Sequence, residues 1–183
     1  MKIALIYNSL TGNTKKLAEG VFKNIPAKYE KSIFEVDDDF NIDTYDTIIA
    51  AFWVDRSAPN QKMKDFLSKL RDKKVFLLGT MGFFPDSSHG RDCIDNSIKL
   101  LDSSCEIIGY FICNGKINTK LLEKIGKMKT NNSSEEAFKA HSLDKKNIIR
   151  YKILGNHTND LDVEYASARV NERLLIEEEL SLL

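Results

Sequence analysis

Short apolar runs alternate along the chain with longer stretches in which apolar residues recur every three or four positions. The runs at about 3–7, 32–36, 46–53, 74–79 and 106–113 read as strands, and the stretches at about 14–27, 60–72, 90–103 and 159–177 read as amphipathic helices. A near-continuous apolar run such as Ile3-Ala4-Leu5-Ile6-Tyr7 suits a strand buried on both faces. Helices that fall between such strands are the sequence form of a parallel sheet covered on both sides. The expectation is therefore a three-layer α/β/α fold around a doubly wound, five-stranded parallel sheet. Right-handed connections give it the order 2-1-3-4-5, with ligands beyond the carboxyl ends of strands one and three, where the order reverses.

Two stretches depart from this rhythm. Asp37 to Tyr45 is acidic and turn-like, with room for a short turn of helix only. Residues 115–157 form an expected insertion, before the last helix, in a single domain spanning 1–183. Within it, Asn118 can cap a helix through about Lys127, and Ser133-Ser134-Glu135-Glu136 has the capping-box form ahead of a second helix ending near His141. Ile148 to Leu154 reads as an added edge strand or an extended connection, and the tail Glu177 to Leu183 is expected to fray.

The most informative chemistry follows the first strand. After Tyr7 come the hydroxyls of Ser9, Thr11 and Thr14, the amide of Asn13, and Gly12, which lets the backbone turn its N–H groups inward. The helix that begins here aims free N–H groups and the positive end of its dipole at the same point, so an anion there is stabilised. The loop has neither the Gly-x-x-x-x-Gly-Lys pattern of a triphosphate loop nor the Gly-x-Gly-x-x-Gly of a dinucleotide fold. Neutral donors without an internal lysine suit a terminal phosphate monoester, with Lys15 and Lys16 near enough to screen it. The plainer reading is that these are only turn residues.

Ser9-Leu10-Thr11-Gly12-Asn13-Thr14 resembles the fingerprint of the flavodoxin family, a hydroxyl residue, any residue, then Thr-Gly-x-Thr after the first strand, and matches it at every specified position. The resemblance covers about residues 1–114 and the terminal helix. Gly79-Thr80-Met81-Gly82-Phe83-Phe84-Pro85-Asp86-Ser87 and Gly109-Tyr110-Phe111-Ile112-Cys113-Asn114-Gly115-Lys116-Ile117 further resemble a bacterial subgroup, one member of which is the flavodoxin-like partner of bilirubin reductase. The resemblance implies an FMN cofactor with its phosphate in the cradle. It also implies an electron-transfer role with a redox partner protein, a reductase or other oxidoreductase.

It further implies that the flavin ring lies against the loops after strands three and four. The first contains Trp53-Val54-Asp55-Arg56 and the only tryptophan of the chain. Indole stacking on a flavin face would disfavour the electron-rich reduced ring; the alternative is a core tryptophan at the end of an apolar strand. In the second, Thr80, Met81 and Gly82 would meet the pyrimidine edge. Phe83 or Phe84 would cover the other face or serve only as loop anchors. Trp53 to Arg56 has no glycine, whereas many flavodoxins flip a glycine-containing peptide there to stabilise the one-electron-reduced flavin. Bulky residues resist positive φ, so that stabilisation is not expected. Arg56 would instead favour two-electron chemistry by placing a cation near the ring, or form a surface salt bridge. His89 reads as a helix-start or loop residue.

Charge alters the choice of partner. Lys plus Arg and Asp plus Glu each number 27, so the net charge is zero, unlike the strongly acidic flavodoxins that electrostatics steers to many basic partners. No basic stripe with interleaved aromatics supports nucleic-acid binding. The longest apolar runs, such as Thr47 to Val54, are too short to span a bilayer, and the start lacks a secretory pattern. The three cysteines, with no Cys-x-x-Cys, suit buried thiols in a cytoplasmic protein. No metal-ligand spacing occurs. The rival function on this fold is an NAD(P)H-dependent FMN or quinone reductase.

Overall fold

The computed structural model describes residues 1–117 and 144–183. In chain order the elements are β1 (Lys2–Tyr7), α1 (Asn13–Asn24), β2 (Glu30–Glu35), a 3-10 turn (Ile42–Thr44), β3 (Thr47–Asp55), β4 (Ala58–Pro59), α2 (Gln61–Leu67), β5 (Lys74–Met81), α3 (Ser88–Ile98), β6 (Glu106–Asn114), α4 (Lys145–Leu154) and α5 (Asp160–Leu180). Five strands lie in the order β2-β1-β3-β5-β6, all parallel, which is the expected 2-1-3-4-5 arrangement. The sixth, β4, is two residues long and pairs antiparallel with the end of β3.

Side-chain alternation divides the core between the two faces. Ile3, Leu5 and Tyr7 of β1 pack with Leu17 and Val21 of α1 and with Val170 and Leu174 of α5. Ala4 and Ile6 point the other way, joining Ile48, Phe52 and the α2 residues Met63 and Leu67. The carboxyl ends of β1, β3, β5 and β6 open together on one edge, where the loops that concern function emerge.

Several boundaries differ from expectation. The helix α2 stops at Leu67, short of 72: Ser68 Oγ donates back to Asp65 O at 3.0 Å, and Asp72 turns into positive φ. The first helix ends at Asn24, where Ile25 goes extended ahead of Pro26. Ile148 to Leu154 is neither an edge strand nor an extended connection but the body of α4. The Asp144 side chain caps this helix by accepting from Asn147 N at 2.8 Å, and it buries Asn147 and Tyr151, four positions apart. The tail does not fray from Glu177. Glu177 is buried against Lys74, and Glu178 binds Lys28 and accepts from the Tyr29 hydroxyl at 2.8 Å, so α5 persists to Leu180. The helices expected at about 118–127 and 133–141 lie outside the described residues. No helix among the described residues is long and apolar enough to cross a membrane.

Burial pushes the Cys113 thiol up to about 12 and the Cys93 thiol up to about 11, while Cys105 lies partly exposed. A disulfide reagent at pH 8 is expected to titrate one thiol rapidly in the native protein and all three in denaturant. Rapid reaction of all three without denaturant would contradict the packing of β6 and α3.

Candidate functional site

The loop between β1 and α1 ends at Gly12, which occupies the N-cap of α1 with φ 89. A residue with a Cβ is strained at that φ, and a Cβ there would meet nothing within 4 Å, so the backbone faces open space. The Gly12 N–H donates to Ser9 Oγ at 3.1 Å. No side chain caps α1 or the short α2, whereas α3, α4 and α5 are each capped by a side chain, from Ser87, Asp144 and Asn159. First-turn N–H groups left this way donate to an anion or to water in place of a cap. Leu10, Thr11 and Gly12 are exposed around this point, Ser9 and Asn13 are half-buried, and Thr14 is buried.

Hydrogen bonds tie this loop to its neighbours. Thr14 Oγ1 and Thr80 Oγ1 share one at 2.8 Å, both residues being buried. Asn8 Oδ1 accepts from Asn60 Nδ2 at 2.8 Å and from Trp53 Nε1 at 3.4 Å, joining the loops after β1 and β3. Trp53 is half-buried and stands beside Thr80 in the β3–β5 register, so it is neither a sealed core residue nor a free one.

The segment after β3 is a tight hairpin. Val54 pairs with Pro59 and Asp55 with Ala58, leaving Arg56 and Ser57 as a two-residue loop with φ 49 and 60. Two positive φ values are what a hairpin of this length favours, and glycine or asparagine usually supplies them. The expectation that bulky residues here resist positive φ is therefore overturned. With it goes the sequence-based argument against a one-electron state. Anchors on the far side compensate the strain: Ser57 Oγ meets His89 Nδ1 at 3.0 Å, and Asn96 Nδ2 donates to Ser57 O at 2.8 Å. Arg56 is exposed and has no ion-pair partner among the described residues.

Met81, the last residue of β5, is buried; beyond it Gly82 and Phe83 are half-buried and Phe84 is exposed. The Phe83 and Phe84 rings meet edge to face at 5.1 Å, and His89 approaches Phe83 at 5.9 Å. Arg150 of α4 lays its guanidinium over Phe83 at 4.7 Å and Phe84 at 5.8 Å, a cation–π arrangement. Asn114 Nδ2 donates to Phe83 O, and Thr158 Oγ1 donates to Asn114 O at 3.2 Å. Among the described residues no ring contact joins Trp53 to Phe83 or Phe84, so the two aromatic groups flank the site separately.

The profile of the flavodoxin domain matches residues 4–171. The chain belongs to the flavodoxin family. It is similar to two curated relatives, each named flavodoxin-like domain-containing protein BilS. That of Clostridioides difficile (strain CD3) is 37% identical over 132 residues, spanning 70% of this chain and 74% of the relative. That of Clostridium symbiosum (strain WAL-14163) is 25% identical over 148 residues, spanning 70% and 75%. Among solved structures, the flavodoxin of Streptococcus pneumoniae TIGR4 superposes with a TM-score of 0.50 at 15% identity, over 85% of this chain and 96% of that one.

Within this flavodoxin fold, the expected residues of the loops after β1, β3 and β5 come to one edge of the sheet, while the side chains of Leu10 and Arg56 remain exposed there. Four residues that the sequence did not single out organise the edge. Asn8 links two loops, Asn60 donates to Asn8 Oδ1 and through its backbone N–H to Trp53 O, Asn114 fixes Phe83, and Arg150 lies over the phenylalanines. Only Asn8 carried a local signal, as the polar residue directly before the fingerprint. Among the described residues no group of His, Cys, Asp and Glu is arranged to hold a metal ion.

Proposed function

We propose that this chain is a cytoplasmic FMN-binding electron carrier that acts as one flavodoxin-like domain, with residues 115–157 as an insertion, and passes electrons to a partner oxidoreductase. The observation that carries the reading is the α1 terminus: uncapped, faced by open space, and surrounded by Ser9, Thr11 and Thr14. This donor set fits a phosphate monoester. The backbone N–H groups at the start of α1 and the hydroxyls of Ser9, Thr11 and Thr14 would hold the phosphate. Trp53, Val54 and Asp55 on one side and Thr80, Met81 and Gly82 on the other would meet the ring. When bound, FMN supplies the electron-accepting chemistry. Trp53 would add apolar burial and stacking, while Asn8 keeps its indole in place. Phe83 and Phe84, braced by Arg150, would exclude water from the opposite side.

Zero net charge supports a partner chosen by surface fit over one gathered by long-range steering. A dedicated oxidoreductase suits this, such as the bilirubin reductase served by the subgroup member that the sequence resembles. The reductase reading draws on the exposed Arg56, without an ion-pair partner among the described residues, which offers a cation to a nucleotide phosphate. The half-buried Phe83 beside the ring site argues against it, because a nicotinamide must stack on an open flavin face.

The visible absorption spectrum of the purified protein, before and after FMN addition and gel filtration, tests the reading. Flavin bands that persist through the column, with no NAD(P)H oxidation by the protein alone, are expected. Failure to retain FMN on reconstitution would overturn FMN binding, and steady NAD(P)H oxidation would replace the carrier with the reductase.

A further inference from the structure

Asn13 sits in the middle of the cradle, yet its amide is already spent. A carboxamide has two N–H donors on one nitrogen and an acceptor oxygen on the other side. Asn13 Nδ2 donates to Lys116 O at 3.0 Å and to Thr11 Oγ1 at 2.9 Å. A backbone carbonyl can only accept, so the nitrogen must be the atom facing Lys116, whichever way the amide is first drawn. The remaining Oδ1 is an acceptor and offers nothing to an anion. With its oxygen accepting from Asn13, the Thr11 hydroxyl keeps its hydrogen free to donate outward.

The partner segment is shaped to receive this contact. Gly115 N–H donates to Met81 O at 2.9 Å, which ties the end of β6 to the loop after β5. A Cβ on Gly115 would come within 3.1 Å of Asn13 Nδ2 and 3.3 Å of its Cβ. A side chain at 115 would therefore press on the Asn13 amide that holds Lys116 O.

We propose that Asn13 is a positioning residue and not a phosphate ligand: it clamps the Gly115–Lys116 segment to the cradle and aims the Thr11 hydroxyl at the bound phosphate. Ligand affinity and the order of that segment are thereby coupled, each stabilising the other. This rests on the reading of the loop as the cradle of an FMN phosphate.

The test compares wild type, Asn13→Ala, Gly115→Ala and the double variant, titrated with FMN and with riboflavin by flavin fluorescence. Amide hydrogen exchange over residues 113–117 is followed in parallel without ligand. Each single variant is expected to lose about five- to tenfold in FMN affinity, the scale of one hydrogen bond. Riboflavin affinity should hold, the double variant should be no worse than either single one, and exchange over 113–117 should quicken in ligand-free Asn13→Ala. A loss of FMN affinity in Asn13→Ala with exchange over 113–117 unchanged would make Asn13 a direct ligand and overturn the clamp. Wild-type protein that binds no FMN would overturn the functional reading alone, and exchange would still decide the clamp: unchanged rates in Asn13→Ala refute it.

Discussion

Replacing Thr14 by valine is expected to weaken FMN binding by about ten- to a hundredfold, the scale of one charge-assisted hydrogen bond. Thr14 and Thr80 are buried with their hydroxyls 2.8 Å apart. A hydroxyl has one hydrogen to give and two lone pairs to receive. If Thr80 donates to Thr14, the hydrogen of Thr14 is left for a ligand beside the helix terminus. Valine keeps the shape but removes both roles, and it leaves the Thr80 hydroxyl buried without its partner, at a cost of about 1–3 kcal/mol. Two readouts therefore move together, FMN affinity and the urea midpoint. Thr14→Ser should restore most of both, because the hydroxyl returns. Valine-variant protein that binds FMN within twofold of wild type would remove Thr14 from the site.

The place of Thr14 at the start of α1 was legible in the sequence because its signal is local. The fingerprint spans six consecutive residues, and the strand and helix that present it are set by patterns within a few residues of it. The sheet order was legible for a related reason: near-continuous apolar strands separated by amphipathic stretches leave few right-handed arrangements. What the sequence hid depends on partners distant along the chain. Asn13 looks like a phosphate donor until Lys116 arrives from 103 positions away to occupy its amide. Arg56 and Ser57 look incompatible with positive φ until His89 and Asn96 anchor the hairpin tip. Ile148 to Leu154 carries the β-branched residues of a strand, and only the Asp144 cap together with the burial of Asn147 and Tyr151 makes it a helix. In that case tertiary packing outweighs local propensity.

The second large effect is expected at Gly90, in the first turn of α3, where alanine should destabilise the protein although alanine is the better helix former. In an isolated helix the change would stabilise by about 1 kcal/mol. Here a Cβ would lie 1.9 Å from Pro85 O and 2.7 Å from Pro85 C, and these are backbone atoms that no rotamer change can move aside. The loop Phe83–Ser87 must shift as a whole, against the Ser87 cap of α3 and the Asn114 contact to Phe83 O. Overpacking of this kind costs about 1–3 kcal/mol, more where backbone has to move. Urea unfolding is expected to show a lowered midpoint with an unchanged slope. A midpoint equal to or above wild type would mean that the loop yields freely and is not held by its contacts. The ligand profile separates this variant from Thr14→Val. A displaced Phe83 and Phe84 act on the ring side of the site, so Gly90→Ala should weaken FMN and riboflavin alike. Loss of the Thr14 hydroxyl acts first on the phosphate and should weaken FMN far more than riboflavin.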